Sequence, residues 1–310
     1  MKLFYSVFIL FTALTLSGCI NDGISECPVE TEDNFILKFR YVSSVPGDNF
    51  TDKIQQVNVY IFSQDGKYIT TQTVDLAALT AFAGITLYLD PGNYRIICWG
   101  NASSKTFINP LGINNTFTDA YLSNIATRDG TVATNGDQLY YASDNLVLSS
   151  TLKATSTNII ERILNFRNAY VKIQLYTKGL IDKNQQGQLL PPTVEMVNIP
   201  SRYNFLMQTD NNTIRYLNTS SFQNISGEEI AAVTFYTPRF SDNNSIEIHI
   251  KKSSDGNTLT SINLKDFMKE NNITVEGIEE AVIPILIEYR QASVEIGIPG
   301  WEQNPVDPEL

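Results

Sequence analysis

Phe35-Ile36-Leu37-Lys38-Phe39-Arg40-Tyr41 alternates residue by residue, with Phe35, Leu37, Phe39 and Tyr41 on one face and Lys38 and Arg40 on the other. An extended chain sends successive side chains to opposite sides, whereas a helix repeats its apolar positions every three or four residues. The stretch therefore predicts a half-buried β-strand. Period two continues outward from it. Val57, Val59 and Ile61 alternate with Asn58, Tyr60 and Phe62, Asp65-Gly66 is a hairpin signal, and residues 67–74 return as the partner strand. Ile85, Leu87 and Leu89 form a further strand. Pro91-Gly92 makes a turn, after which Tyr94, Ile96 and Cys98 alternate with Arg95, Ile97 and Trp99.

Between these runs, residues 76–82 read as one helical turn or a strand-end loop. Residues 101–136, rich in Asn, Thr, Ser and Gly, predict a long loop with a short helix near residues 119–124. Residues 139–141 and 145–148 are short strands, and the polar run 149–158 marks a domain boundary. Strand periodicity restarts with Val171, Ile173 and Leu175. It recurs at 193–199, 230–235, 245–250 and 258–264, with Asp255-Gly256 as a second hairpin turn. Residues 264–271 predict a short amphipathic helix, with Leu264, Phe267 and Met268 on one side. Residues 282–298 form a long apolar β segment that stops at Pro299-Gly300-Trp301. Many short strands, frequent turns and few helices predict an all-β chain of sandwiches or barrels.

The start of the chain carries a different signal. Lys2 is the only charge before an apolar run of about 14 residues, too short to span a bilayer as a helix but suited to a signal peptide. Leu16-Ser17-Gly18-Cys19 follows, a lipobox in which small residues precede a cysteine. Cys19 supplies the nucleophilic thiol for a covalent diacylglycerol, with a further N-acyl lipid on the new terminus. Each buried CH₂ of such chains contributes about 0.8 kcal/mol, and two or more chains anchor stably where one does not. The expected layout is a signal peptide at 1–18, a lipidated tether at 19–34, and two domains at 35–155 and 156–310, as the chain's length suggests.

Charge and chemistry exclude several functions. The formal net charge is −11, one unit more negative once Lys2 is removed, so the surface repels nucleic acid and anionic membrane. Attachment must come from lipid. Export permits a Cys27–Cys98 disulfide; two separate thiols is the other reading, and both stay open. The single histidine, His249, lies inside an alternating strand, a poor setting for a catalytic triad, and too few His and Cys remain for a four-ligand zinc site. There is no phosphate-binding glycine loop. The expectation is no enzyme, no metal and no small-molecule cofactor.

Several motifs in order resemble the Mfa2/FimB-like fimbrial anchor family of Bacteroidota. They are the lipobox Cys19 followed by Glu26-Cys27-Pro28, the segment Val57-Asn58-Val59-Tyr60-Ile61-Phe62-Ser63-Gln64-Asp65-Gly66, and Pro91-Gly92-Asn93-Tyr94 leading to Trp99-Gly100-Asn101. Residues 165–179 resemble the first strand of that family's second domain, and residues 296–301 its closing strand and tryptophan. Cys98 departs from the pattern, where a small or apolar residue would stand. The resemblance implies two tandem transthyretin-like β-sandwiches, no catalysis, and a lipid-anchored outer-membrane protein facing the exterior. Its partner would be a fimbrial stalk subunit, whose type V pilus it would hold and limit in length. In stalk subunits the family's assembly starts with cleavage after an arginine; here Arg40 lies within a predicted strand. Phe35, Leu37 and Phe39 would then belong to a retained strand. Val294, Ile296 and Ile298 would belong either to a core strand or to a segment offered to the last stalk subunit, by strand addition to an open sheet edge. The other readings are a surface glycan-binding lipoprotein, with Trp99 and Trp301 as stacking platforms, and a tip or stalk fimbrial subunit.

Overall fold

The computed structural model describes residues 33–42, 50–126, 132–149 and 159–301. The leader, Cys19, Cys27 and most of the tether and of the polar run 149–158 lie outside the described residues. In chain order the first elements are β1 (Phe35–Tyr41), α1 (Phe50–Lys53), β2 (Val57–Ser63), β3 (Tyr68–Val74), α2 (Leu76–Ala81), β4 (Gly84–Leu87) and β5 (Gly92–Gly100). Then come β6 (Thr106–Ile108), β7 (Tyr121–Asn124), β8 (Val132–Ala133), β9 (Tyr140–Leu148) and β10 (Ile160–Asn168). The second half holds β11 (Tyr170–Lys178), β12 (Thr193–Pro200), β13 (Arg202–Asn204), β14 (Thr213–Thr219), β15 (Ser221–Ile225) and β16 (Glu228–Pro238). It ends with β17 (Glu247–Lys251), β18 (Thr258–Asn263), α3 (Leu264–Glu270), β19 (Val282–Tyr289) and β20 (Val294–Gly297).

The first sandwich is one seven-stranded sheet, ordered β3-β2-β5-β9-β10-β1-β4. It folds over itself at the short β9–β10 pairing, where Arg167 faces Tyr141 and Asn168 faces Tyr140. Phe35, Leu37 and Phe39 of β1 then share one buried cluster with Val57, Val59 and Ile61 of β2 and Ile96 and Cys98 of β5. The alternation in β1 is as the sequence predicts. In β2 both faces are buried: Tyr60 and Phe62 point into a second cluster with Ile97, Trp99, Tyr141, Tyr203 and Phe205. The hairpin at Asp65-Gly66 forms because Gly66 takes a left-handed φ of +87°. Leu76–Ala81 of the stretch 76–82 form α2, started by Asp75, whose Oδ1 accepts from the Ala78 amide at 2.9 Å, a cap of about 1 kcal/mol.

The second sandwich stacks the sheet β15-β16-β11-β19-β20 on the sheet β18-β17-β12-β14-β8. Val171, Ile173 and Leu175 of β11 and Ile283, Ile285 and Ile287 of β19 meet Val194 and Met196 of β12 and Ile248 and Ile250 of β17. Each fully buried side chain of this size contributes roughly 1.5–3 kcal/mol. Leu264, Phe267 and Met268 of α3 are buried against the same core, as their spacing predicts.

Pairing carries two segments across the 155/156 division. β10 joins the first sandwich, parallel to β1 with Phe35 opposite Ile160 and Tyr41 opposite Phe166. β8 joins the second, parallel to β14 with Arg215 opposite Val132. The helix expected near residues 119–124 is a correction: Tyr121–Asn124 form β7, clamped between β6 and β13 in a three-stranded sheet. Leu122 and Tyr203, opposite each other there, are buried towards Trp99. Tertiary burial of this alternating pair overrides a weak local preference.

Candidate functional site

The two groups of predicted contact residues lie in different sandwiches. Phe35, Leu37 and Phe39 are buried, and β1 is paired along both edges, parallel with β10 and antiparallel with β4. Arg40 is exposed but sits opposite Asn165 in a backbone ladder, not in a loop. Cleaving the chain there would require drawing the strand out of the sheet.

Val294 and Ile296 sit on β20, the end strand of its sheet. They lie opposite Tyr289 and Ile287, so they share the core-facing side of the sheet. Ile287 is 0% exposed, yet Val294 is 44% and Ile296 is 40% exposed. The core side of β20 thus overhangs the facing sheet. Ile298 packs partly against the core just beyond. On the outer face, Arg290 bridges Glu288 at 3.1 Å and Glu295 at 2.7 Å. These pairs are exposed and contribute little.

The opposite margin of the second sandwich is closed by the first half of the chain. β8 adds to β14, and the Asn135 side chain continues the seal on the other sheet. Asn135 Nδ2 donates to the Thr234 carbonyl at 2.9 Å, and its Oδ1 accepts from the Tyr236 amide at 2.7 Å. The Gly136 amide donates to the Tyr236 carbonyl at 3.1 Å. A Cβ on Gly136 would lie 2.4 Å from that same carbonyl oxygen, so only glycine fits. These groups occupy the backbone of β16 beyond the point where its pairing with β15 ends at Ala232. The sequence reading placed Asn135-Gly136 in a long loop; an Asn-Gly pair is an ordinary turn signal, and nothing local says that it caps a distant strand.

A polar clasp joins the two halves. Tyr41 Oη donates to Glu280 Oε1 at 2.9 Å, and Lys53 Nζ lies 3.4 Å from the same oxygen. Burial first, and the Glu280 hydrogen bond second, push the Tyr41 phenol well above its ordinary value. The Arg239 guanidinium donates to the carbonyls of Val275, Ile278 and Glu279 at 2.6, 2.5 and 3.2 Å, and its backbone amide donates to Tyr203 Oη.

Among the described residues Cys98 is a free, buried thiol on β5, between β2 and β9, and burial pushes its pKa up. Trp99 is 0% exposed, packed on Tyr141 and Tyr203 with ring centroids 5.0 and 5.6 Å away. It offers no stacking face to a sugar, which corrects the role given it in the glycan reading. Trp301 is partly exposed, with its ring edge-on to Tyr176 at 5.5 Å. His249 Nδ1 lies 2.9 Å from Ser261 Oγ, with Glu247 3.5 Å from Nε2. Among the described residues no group of three or more His, Cys, Asp or Glu is placed to hold a metal ion. Likewise no helix among them is long and apolar enough to cross a membrane.

Two β-sandwiches sharing strands, with one open apolar margin and a filled first sheet, define a strand-built protein of the all-β class. Comparison with known proteins assigns it to a family. A family model described as fimbrillin-A associated anchor proteins Mfa1 and Mfa2 matches residues 24–304, and the chain belongs to that family. The major fimbrium anchoring subunit FimB of Porphyromonas gingivalis is 22% identical over 265 residues, covering 84% of this chain and 83% of FimB. Among solved structures, a candidate adhesin from Bacteroides ovatus superposes with a TM-score of 0.65 at 15% identity, covering 86% of this chain and 93% of its own. The fimbrial anchor protein Mfa2 from Porphyromonas gingivalis gives 0.59 at 16% identity, covering 84% and 96%. At these identities the superpositions speak for the fold. These relatives are described as fimbrial anchoring subunits and a candidate adhesin.

Proposed function

We propose that this chain is a lipid-anchored minor fimbrial subunit that holds a pilus to the outer membrane and limits its length. The observation carrying the reading is the asymmetry of the second sandwich: one margin is filled by Val132–Asn135 of the same chain, and the other ends in β20 with half-exposed core-facing residues. An extended segment of a stalk subunit fits there, taking backbone hydrogen bonds from β20 and covering Val294 and Ile296. Two further features support an anchor over a stalk subunit. β1 is held on both sides, so no vacancy opens in the first sheet for a following subunit. Cys19 provides the lipid attachment, and Cys27 follows in the tether.

The test replaces Cys19→Ala in cells and follows where pili go. Pili shed into the medium, with the variant subunit still at their base, are expected. Pili that remain fixed to cells carrying the variant would overturn the anchor role.

A further inference from the structure

The outward side of β10, β1 and β4 departs from the usual pattern of a sandwich, in which side chains facing away from the core are polar. Ile163 of β10 lies opposite Lys38 of β1, and Lys38 lies opposite Gly84 of β4. The Phe82 ring covers Gly84, where a Cβ would come within 2.9 Å of Phe82 Cε1. One step along the strands, Glu161, Ile36 and Thr86 form the next row. A further step brings Ile159 and Tyr88 to either side of Asn34, whose amide donates to the Leu87 carbonyl and whose carbonyl accepts from the Ile160 amide. Phe82, Tyr88, Ile159 and Ile163 are each between 38% and 53% exposed. The charges in these rows are Lys38 and Glu161, which neutralise each other at 2.8 Å. The outward side of the sheet β18-β17-β12-β14-β8 keeps to the pattern: Glu195 there is held between Lys251 and Arg215, with His249 beside Glu247.

We propose that this face rests on the lipid surface, with Phe82, Tyr88, Ile159 and Ile163 seated in the headgroup region; the inference rests on the lipid-anchor reading above. Position points there first. Asn34 stands between Ile159 and Tyr88, so the chain enters the fold at the edge of this face. Cys19 precedes Asn34 by 15 residues, so even a fully extended chain leaves Asn34 within about 50 Å of the lipid-bearing residue. Chemistry points the same way. Large apolar side chains around one self-neutralised ion pair gain from an apolar boundary and need no charged lipid. The exposed charge beside the pair is the cation Arg40, so the chain's net charge of −11 is not concentrated here. Tyr88 donates its hydroxyl to Asp90 at 3.2 Å. Its ring thus has an apolar body and a polar tip, the arrangement that sits at headgroup level. A protein partner fits less well. The backbone groups of a sheet face are already paired, so this face cannot take an added strand. Four large side chains also fall well short of the roughly 20–30 residues a side of a stable protein interface.

The experiment takes the protein from the cell envelope with its native N-terminus and reconstitutes it into phosphatidylcholine vesicles, sparsely enough that copies do not meet. A fluorescent label on Ile163→Cys is compared with one on Val147→Cys, both in a Cys27→Ser background; Cys98 is buried and stays unlabelled. Val147 is exposed on the outward side of β9, in the opposite layer of the same sandwich. Vesicles containing spin-labelled lipid are expected to quench the label at 163 about twofold or more and to leave the label at 147 nearly unchanged. Phe82→Glu with Ile159→Glu should remove about half of that quenching, with flotation and circular dichroism unaltered. Equal quenching at both positions, or at neither while the protein floats with the vesicles, would overturn the proposal and leave the lipid anchor standing. Protein that carries no acyl group by mass spectrometry and does not float would overturn the anchor reading, and this inference with it. Loss of the quenching at 163 on adding a recombinant stalk subunit would assign the face to the filament and overturn the proposal too.

Discussion

Val294→Ser with Ile296→Ser tests the docking margin where the structure is most quantitative. Full burial of a valine or isoleucine contributes roughly 1.5–3 kcal/mol, and about two-fifths of each side chain is still exposed, so an arriving strand gains about 0.6–1.2 kcal/mol from each. The pair together contributes about 1.2–2.4 kcal/mol to docking, which is roughly sevenfold to fiftyfold in affinity. The serines leave the backbone of β20 free to pair, so the loss isolates the side-chain contribution. The assay is surface-immobilised binding of a recombinant stalk subunit to the wild type and the variant, with urea unfolding alongside. Ile113→Ser is the control, since Ile113 is 79% exposed on a loop in the first half of the chain and should change nothing. If the double variant binds within twofold of wild type while remaining folded, β20 is not the docking strand. If Ile113→Ser weakens binding as much, the effect is non-specific stickiness and not the margin.

Asn135→Ala should destabilise the fold by about 2–4 kcal/mol, because the Thr234 carbonyl and Tyr236 amide both lose a buried partner; urea midpoints measure it, and a loss under about 0.5 kcal/mol would show the seal to be cosmetic. Cys98 should not react with a thiol reagent in native protein and should react once in denaturant, since burial disfavours its thiolate. Stability should fall as pH rises past about 10. Tyr60, Tyr140, Tyr203 and Tyr216 all have phenols raised by burial, so their contribution is complete below the ordinary tyrosine pKa and is lost above it. At the acid end, burial alone would raise the Glu195 carboxyl, but the Lys251 hydrogen bond and the charges of Lys251 and Arg215 hold it low. Its contribution is present above the ordinary carboxylate range and fades as pH falls below it. Thermal scans from pH 3 to pH 11 read both limbs, and Glu195→Gln should flatten only the acid one.

Strand existence was legible wherever one face is wet. β1 and β17 follow from period two, and α3 from Leu264, Phe267 and Met268, because burial on a single face writes itself into the pattern. Residues 282–298 read as one run, yet they form β19 and β20 joined by a turn, where the Arg290 amide donates to the Ser293 carbonyl at 2.9 Å. Pairing between remote strands was not legible. Nothing in residues 160–168 says that they lie beside residues 35–41 and not beside 171–178, since parallel partners have no shared turn to announce them. The open margin was half visible, as apolar Val294 and Ile296, but its openness depends on the width of the facing sheet. The three-stranded sheet was invisible. Two of its strands lie in a stretch read as a loop rich in Asn and Thr, and the third reaches them only when β13 crosses to pair with β7.

The proposed anchor would both dock a filament and end in a tether, so it must carry tension between the two, and the magnitudes decide which contacts do so. The chain enters the fold at Phe35, where Asn34 is clipped to Leu89 by two hydrogen bonds of 2.8 and 3.0 Å. At the far end of β1, Tyr41 bonds to Glu280, two residues before β19, the neighbour of β20. That hydrogen bond contributes only about 1–2 kcal/mol and cannot carry the load alone. The backbone ladder is larger: β1 is matched to β10 from Phe35 to Tyr41 and to β4 from Phe35 to Lys38. A pull along β1 from its N-terminal end shears those pairs together and does not open them one at a time. The junction behind it is held by Trp99, Tyr141, Tyr203 and Phe205, each buried, together worth several kcal/mol of apolar burial. Tyr41 and Glu280 therefore set the alignment of the two halves, while the ladder and the aromatic cluster resist the force. On the proposed anchor reading the first strand has a mechanical role as well as a blocking one: the strand whose loss would open the first sheet is the same strand through which tension from the proposed tether would enter the fold.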